Sequence, residues 1–133
     1  MIRSIIAVAI GGGIGSALRY AVSRVVQENV AHGTFPWATF TVNVAGCLLI
    51  GLFYGLAARG CLGGDIMKLM LATGLCGGFT TFSTFSNEGL MLMRGGDALM
   101  ALLYMAASVV AGLAAVAGGY AIATALGHSC TRI

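Results

Sequence analysis

Charged side chains are scarce in this 133-residue chain, at 8% of residues, whereas 59% are hydrophobic and the mean hydropathy is +0.96. A soluble domain of this length carries roughly a quarter charged residues, so the chain cannot cover a water-facing surface. We therefore predict an all-α integral membrane protein. A spanning helix needs about 20 apolar residues, so the length accommodates four spans with short loops in a single domain over residues 1–133.

Carboxylates are rarer still, and all of them lie in or beside predicted loops: Glu28, Asp65, Glu88 and Asp97. A small four-helix exporter is an alternative function. A proton-coupled exporter needs an acidic residue at membrane depth, however, and the predicted spans have none there. No nucleophile, base and orienting group form a recognisable pattern, so an enzyme is not expected. The net charge of +3 is scattered and indicates no nucleic-acid partner.

The cysteines form no Cys-x-x-Cys pair, and two of the four lie within apolar runs. We expect them to be small buried hydrophobes rather than disulfide partners or metal ligands. They are Cys47, Cys61, Cys76 and Cys130.

The apolar runs predict helices at about residues 4–26, 36–58, 66–93 and 98–126. Glycines and serine four residues apart, at Gly11/Gly15 and Gly12/Ser16, let helix backbones approach closely, and Gly51/Gly55 repeats the pattern in the second span. A dinucleotide-binding loop is the competing interpretation of the first-span glycines, but no strand precedes them.

The third apolar run is interrupted by the stretch from Gly74 to Ser86, which reads GLCGGFTTFSTFS. Crowded glycines followed by alternating hydroxyl residues and phenylalanines predict a helix break at membrane depth. Irregular backbone is tolerated there only where protein buries it or water reaches it. Such a break is a candidate site for an ion or small solute, and a flexible helix with contact glycines is the alternative.

The groups available near the break favour an anion. Hydroxyls, amide N–H groups and the electropositive edges of phenylalanine rings can all face negative charge, and Phe82 and Phe85 lie three residues apart. Asn43 shares a helix face with Thr39 and is either a ligand or a hydrogen-bonding bridge between helices. Broken-helix carbonyls, such as that of Gly77, can hold a cation.

Further polar positions leave alternatives open. Tyr104 and Ser108 share one face of the fourth span, although a serine can also bond to its own helix. Arg19 either snorkels to the interface or holds backbone carbonyls, and Glu88 is either a solvated end residue or the partner of a basic group.

Basic residues differ little between the two predicted sides of the membrane. Arg3, Arg59, Lys68 and Arg132 lie on the side of the termini, and Arg24 and Arg94 lie on the other. This weak bias permits insertion in both orientations.

The segment from Gly74 to Ser86 closely resembles the signature of the CrcB/Fluc family of fluoride channels. Supporting similarities are the first-span glycines with Arg19-Tyr20, the second-span run Thr41-Val42-Asn43 preceded by Thr39, and the position of Glu88. The resemblance covers the whole four-span plan. It implies passive, fluoride-selective efflux that lowers cytoplasmic fluoride, through an antiparallel dual-topology homodimer in a bacterial inner membrane.

The resemblance also implies roles for individual residues. It implies a structural sodium ion at the dimer interface, held by the backbone carbonyls of Gly77 and Thr80, and structural roles for Arg19, Gly74, Gly78 and Glu88. The implied fluoride pore residues are Asn43, Phe82, Phe85, Ser108, Tyr104 and Thr39.

The chain departs from the family pattern at four positions: Ala38, Phe40, Gly112 and Val116. The last two replace hydroxyl residues in the fourth span, so the polar track is thinner than the family pattern implies. A non-transporting membrane subunit that packs through its glycines remains the structural alternative.

Overall fold

The computed structural model describes residues 1–30, 33–126 and 130, so Arg132 lies outside the described residues. Every regular element of the described residues is helical. In chain order they are α1 (Ile2–Asn29), α2 (Trp37–Ala58), α3 (Asp65–Lys68), a π-helix (Leu69–Cys76), α4 (Gly77–Phe79), α5 (Phe82–Arg94) and α6 (Ala98–Ala125).

Four stretches of the described residues are long and apolar enough to cross a membrane: α1, α2, Asp65–Arg94 and α6. We call Asp65–Arg94 the third span. The prediction of an all-helical chain with four potential membrane spans is therefore confirmed. The first helix extends past its predicted end at Val26, because Arg24 pairs with Glu28 at 3.0 Å and the Asn29 amide donates to the Val25 carbonyl at 2.8 Å.

Glycines bring α1 against the third span, as their spacing predicts. Gly11 and Gly15 are buried, and a Cβ atom added at Gly15 would lie 2.8 Å from the Phe79 nitrogen. On the facing side, a Cβ atom at Gly74 would lie 2.9 Å from the Val8 carbonyl oxygen. These distances leave no room for a side chain, so the backbones themselves are in contact.

A second glycine contact joins α2 to α6. A Cβ atom at Gly51 would lie 3.0 Å from the Tyr120 nitrogen, and one at Gly119 would lie 2.9 Å from the Leu52 nitrogen. Van der Waals packing of this kind holds membrane helices together, because lipid supplies no hydrophobic force between them. The two glycine contacts thus pair α1 with the third span and α2 with α6, and residues of α2, the third span and α6 line the site described below.

The loop after α2 is tied to the end of α6 by two links. Arg59 donates from Nη1 to the Ala123 carbonyl oxygen at 2.8 Å, and Cys61 forms a disulfide with Cys130. The expectation that all four cysteines are small buried hydrophobes is therefore wrong for this pair, whose Cα atoms are 5.0 Å apart. Packing of α2 on α6 brings together two cysteines 69 residues apart, which sequence spacing alone does not reveal. Cys76 is a free, buried thiol, as expected.

Candidate ion pathway at the helix break

The third span is broken at its midpoint, where the sequence predicts it. Thr80 (φ −82°, ψ 158°) and Thr81 (φ −146°, ψ 116°) are extended, between the end of α4 and the start of α5. The Thr81 hydroxyl then caps α5 by accepting a hydrogen bond from the Thr84 N–H at 3.3 Å. The break is thus a defined two-residue extended segment rather than a loosened helix.

The side chain of Asn43 completes the hydrogen bonding of the break. Its Oδ1 accepts from the Thr81 N–H at 2.8 Å, and its Nδ2 donates to the Thr81 carbonyl at 3.1 Å. These two bonds fix the orientation of the amide, because a backbone N–H can only donate and a carbonyl can only accept. One N–H of Nδ2 is left over for a further acceptor.

The break leaves the carbonyls of residues 77–80 without their helical partners, because the last four carbonyls of a helix have no intrahelical donor. The Thr81 N–H would bond to the Gly77 carbonyl in a continuous helix, but it bonds to Asn43 instead. The Thr84 N–H would likewise bond to the Thr80 carbonyl, but it bonds to the Thr81 hydroxyl. The carbonyls of Gly77 and Thr80, for which the family resemblance implies a sodium ion, are therefore among those that the break releases.

A cavity of about 460 Å³ opens beside the break, between α2, the third span and α6. It brings together Asn43, Phe82, Phe85 and Ser108 from the predicted pore set. The lining residues are Asn43, Gly46, Cys47, Ile50, Tyr54, Ala72, Thr73, Cys76, Gly77, Thr80, Thr81, Phe82, Phe85, Ser108 and Val109. None of these carries a formal charge, so the cavity offers only neutral dipoles and rings.

The two predicted phenylalanines are neighbours in this cavity. The ring centroids of Phe82 and Phe85 are 5.8 Å apart with planes tilted by 38°. Phe82 is 79% exposed on the outside of the chain. The edge of such a ring carries the positive part of the aromatic quadrupole, so an edge turned to the cavity would attract an anion.

Ser108 contributes a hydroxyl to the lining of the cavity. Its Oγ is buried and has no hydrogen-bond partner within the part of the chain that the structure describes, so it does not bond to its own helix. Buried polar atoms are nearly always partnered, so an unpartnered one beside a cavity is available to a water molecule or a ligand there. The Ser108 hydroxyl can turn its hydrogen towards an anion in the cavity.

Thr39 and Tyr104 are placed differently from the expected track. The Thr39 hydroxyl donates to Glu88 Oε1 at 2.7 Å, and the Tyr104 hydroxyl donates to Glu88 Oε2 at 2.9 Å. Neither lines the large cavity. Tyr104 is connected to it through its ring, which lies 5.1 Å from that of Phe85 between centroids. The two hydroxyls are thus already donating to a carboxylate.

Glu88 follows neither of the two alternatives that its position suggests. It is partly buried, and no basic side chain within residues 1–30, 33–126 and 130 lies close enough for an ion pair with it. The hydroxyls of Thr39 and Tyr104 satisfy it instead, because helix packing turns both towards α5. Glu88 also lines a cavity of about 260 Å³ beneath the loop between α1 and α2.

Arg19 lies on the opposite side of the break from the large cavity. It lines a separate cavity of about 300 Å³ together with Ser16, Ser23, Thr81 and Thr84. Gly78 faces the same helix, where an added Cβ atom would lie 2.9 Å from the Gly12 Cα atom. The close approach explains the need for glycine at position 78.

Sequence reasoning missed several residues of this site. The backbone of Thr81 is the hydrogen-bond partner of Asn43. The feature of the sequence that could have indicated this pairing is an isolated amide side chain at the depth of the predicted break. Thr73 and Cys47 also line the cavity. The π-helix at Leu69–Cys76 had no signal in the residue pattern.

Comparison with known families decides the membership of the chain. A family model described as "CrcB-like protein, Camphor Resistance (CrcB)" matches residues 6–120. The chain belongs to the CrcB family. A family relative from Flavobacterium psychrophilum, named "Fluoride-specific ion channel FluC", is 48% identical over 93% of this chain and 99% of its own length.

Further relatives of the CrcB family carry the same name. The one from Phocaeicola vulgatus is 48% identical over 86% of this chain and 93% of its own length. The one from Novosphingobium aromaticivorans is 47% identical over 86% of this chain and 91% of its own length. All three relatives are named as ion channels rather than as enzymes.

Proposed function

We propose that the chain is a fluoride-selective channel that lets fluoride leave the cell passively, which lowers its cytoplasmic concentration. The observation that carries the proposal is the uncharged cavity where Asn43, Ser108, Phe82 and Phe85 meet at the helix break. Three family relatives named as fluoride-specific channels support it, at 47–48% identity over most of the chain.

The lining chemistry suits a small anion that must both enter and leave. Moving a bare ion into a low-dielectric medium is prohibitive, by tens of kcal/mol in the Born picture, so the pore must replace water with donors. Asn43 offers its second N–H, Ser108 offers its free hydroxyl, and the rings of Phe82 and Phe85 offer their edges. Because none of these is a cation, each holds the ion weakly, as conduction requires.

A second copy of the chain is needed to close this pathway. The cavity lies on the outer face of a single copy, where Phe82 is 79% exposed. A Cβ atom at Gly77 would meet nothing within 4 Å, so that face has room for a neighbour. We infer a homodimer whose copies insert antiparallel, since the weak bias in basic residues permits both orientations. The setting is a bilayer, and we propose the bacterial inner membrane.

The released carbonyls of Gly77 and Thr80 are suited to a structural sodium ion at the dimer interface. Carbonyl oxygens are the ligands that hard cations prefer, and unwound carbonyls bind Na⁺ in broken-helix transporters. Bound there, the ion would supply positive charge between two copies that otherwise present carbonyl dipoles to each other. We expect dimers purified without sodium to dissociate more readily than dimers purified with it, as measured by size-exclusion chromatography in detergent.

The proposal is tested by fluoride efflux from proteoliposomes that contain the variant Phe82→Ile. We expect a sharp loss of flux with the dimer intact, because an aliphatic side chain has no electropositive edge. Phe40→Ile is the matched control, since Phe40 does not line the cavity and its change should leave the flux unaltered. Normal efflux in Phe82→Ile would contradict the assigned site. Absence of efflux from the unaltered dimer would favour the non-transporting subunit.

A further inference from the structure

The disulfide joins two segments that lie outside the membrane on one side of the chain. Cys61 follows the end of α2 at Ala58, and Cys130 follows the end of α6 at Ala125. The end of α2 comes after two membrane crossings, and the end of α6 comes after four. An even number of crossings returns the chain to the side from which it started, so both cysteines share a compartment with the N-terminus. Cys61 and Cys130 of one copy are therefore always exposed to the same compartment as each other, and the orientation of the copy decides which compartment that is.

The two sides of a bacterial inner membrane differ in redox state. Disulfides form and persist on the outer, oxidising side, and glutathione and thioredoxin keep thiols reduced in the cytosol. A chain with a single orientation would expose every Cys61–Cys130 pair to one of these conditions. A dimer of antiparallel copies exposes one pair to each.

We propose that the Cys61–Cys130 bond forms only in those copies whose termini face the oxidising side, so that each dimer carries one bond. This rests on the dual orientation in the proposed function. On the oxidising side, the two thiols give up two electrons and two protons to a protein disulfide donor, through a mixed disulfide, and the donor leaves as a dithiol. On the cytosolic side, the thiols of two glutathione molecules supply the electrons for the reverse reaction and leave as their own disulfide.

The consequence is that the loop after α2 is linked to the end of α6 by different bonds in the two copies of the dimer. The hydrogen bond from Arg59 to the Ala123 carbonyl is independent of redox state and forms in both copies. The disulfide adds a covalent link beside it in one copy only. Chemically identical chains therefore form an asymmetric pair, with the covalently closed end outside.

The test counts free thiols chain by chain. Cells are quenched with acid, the protein is denatured, and thiols are labelled with maleimide-polyethylene glycol, which shifts the chain on a gel once per adduct. A bonded chain has Cys47 and Cys76 free and takes two adducts, and a reduced chain takes four. We expect the two-adduct and four-adduct forms in equal amounts.

Orientation is read on the same gel from an epitope placed after Ile133. Protease added outside spheroplasts removes the epitope only from copies whose termini face out. We expect trimmed chains to carry two adducts and untrimmed chains to carry four. The control Cys61→Ser should give three adducts in both classes and unaltered fluoride efflux.

The outcomes separate this proposal from the channel itself. Equal adduct counts in trimmed and untrimmed chains would overturn the proposal and leave dual orientation standing. Trimming of all chains, or of none, would overturn the proposal together with dual orientation. Fluoride conduction is measured independently in proteoliposomes, so its loss or presence is not confused with either result.

Discussion

Replacing Asn43 with aspartate changes the charge of the cavity with almost no change in side-chain size. One carboxylate oxygen can still accept from the Thr81 N–H, which now lies 2.8 Å from Oδ1. The other faces the Thr81 carbonyl, which loses the donor that Asn43 supplies at 3.1 Å. The second N–H, which we assign to fluoride, is lost as well.

The electrostatic effect is the larger of the two. A carboxylate and a fluoride ion about 4 Å apart repel each other by about 4 kcal/mol at an effective dielectric constant near 20. Since about 1.4 kcal/mol is a factor of ten, we expect fluoride flux to fall about a thousandfold. The unpartnered Thr81 carbonyl costs about 1–3 kcal/mol of folding free energy, and the glycine contacts between the helices of the chain are untouched, so the chain should still fold.

The assay is fluoride efflux from proteoliposomes, read with a fluoride electrode, with potassium and valinomycin to balance charge. Asn29→Asp is the matched control, because it makes the same chemical change and also removes an amide donor, in this case to the Val25 carbonyl at 2.8 Å. It lies at the end of α1, away from the cavity. Flux within threefold of the unaltered protein in a folded Asn43→Asp dimer would refute the reasoning.

Three further changes separate conduction from folding. Phe82→Ile should abolish most efflux and Phe40→Ile should not, as measured in the same liposomes. Ser108→Ala should lower efflux about ten- to a hundredfold, since a hydrogen bond to an ion contributes about 1.5–3 kcal/mol. The melting temperature in detergent should not fall, because the hydroxyl has no partner among the described residues, and a lower melting temperature would mean that the hydroxyl is structural. Gly51→Ala should lower the melting temperature through overpacking of about 1–3 kcal/mol, whereas Gly118→Ala, where an added Cβ atom meets nothing within 4 Å, should not.

Local patterns predicted the elements whose cause is local. The four spans follow from apolar runs, and the contact through Gly11 and Gly15 follows from spacing on one helix. The break follows from a cluster of glycines and hydroxyl residues in one segment. Each of these depends on residues within a few turns of one another.

Features that depend on pairing between distant segments were not predictable in the same way. Thr39 and Tyr104 belong to a polar face, but only helix packing shows that their hydroxyls donate to Glu88. The same holds for the disulfide between Cys61 and Cys130, 69 residues apart. The residue types specify the chemistry of such groups, whereas the packing of the helices determines which of them come into contact.

The role of the Asn43 amide was predictable from the sequence only in part. Its depth in the second span made it a candidate ligand or a helix bridge, and the structure has it hydrogen-bonded to both backbone groups of Thr81. One N–H remains for an ion, so the two roles are compatible. The geometry needed to see this is the extended backbone of the break, which no residue pattern specifies.

The most direct test of the central claim is efflux from liposomes that contain the unaltered protein, measured for fluoride and for chloride under the same gradient. We predict rapid loss of fluoride and retention of chloride, since the cavity holds only neutral donors and ring edges suited to a small anion. Equal rates for both ions, or no fluoride efflux from an intact dimer, would contradict the assignment of a fluoride-selective channel.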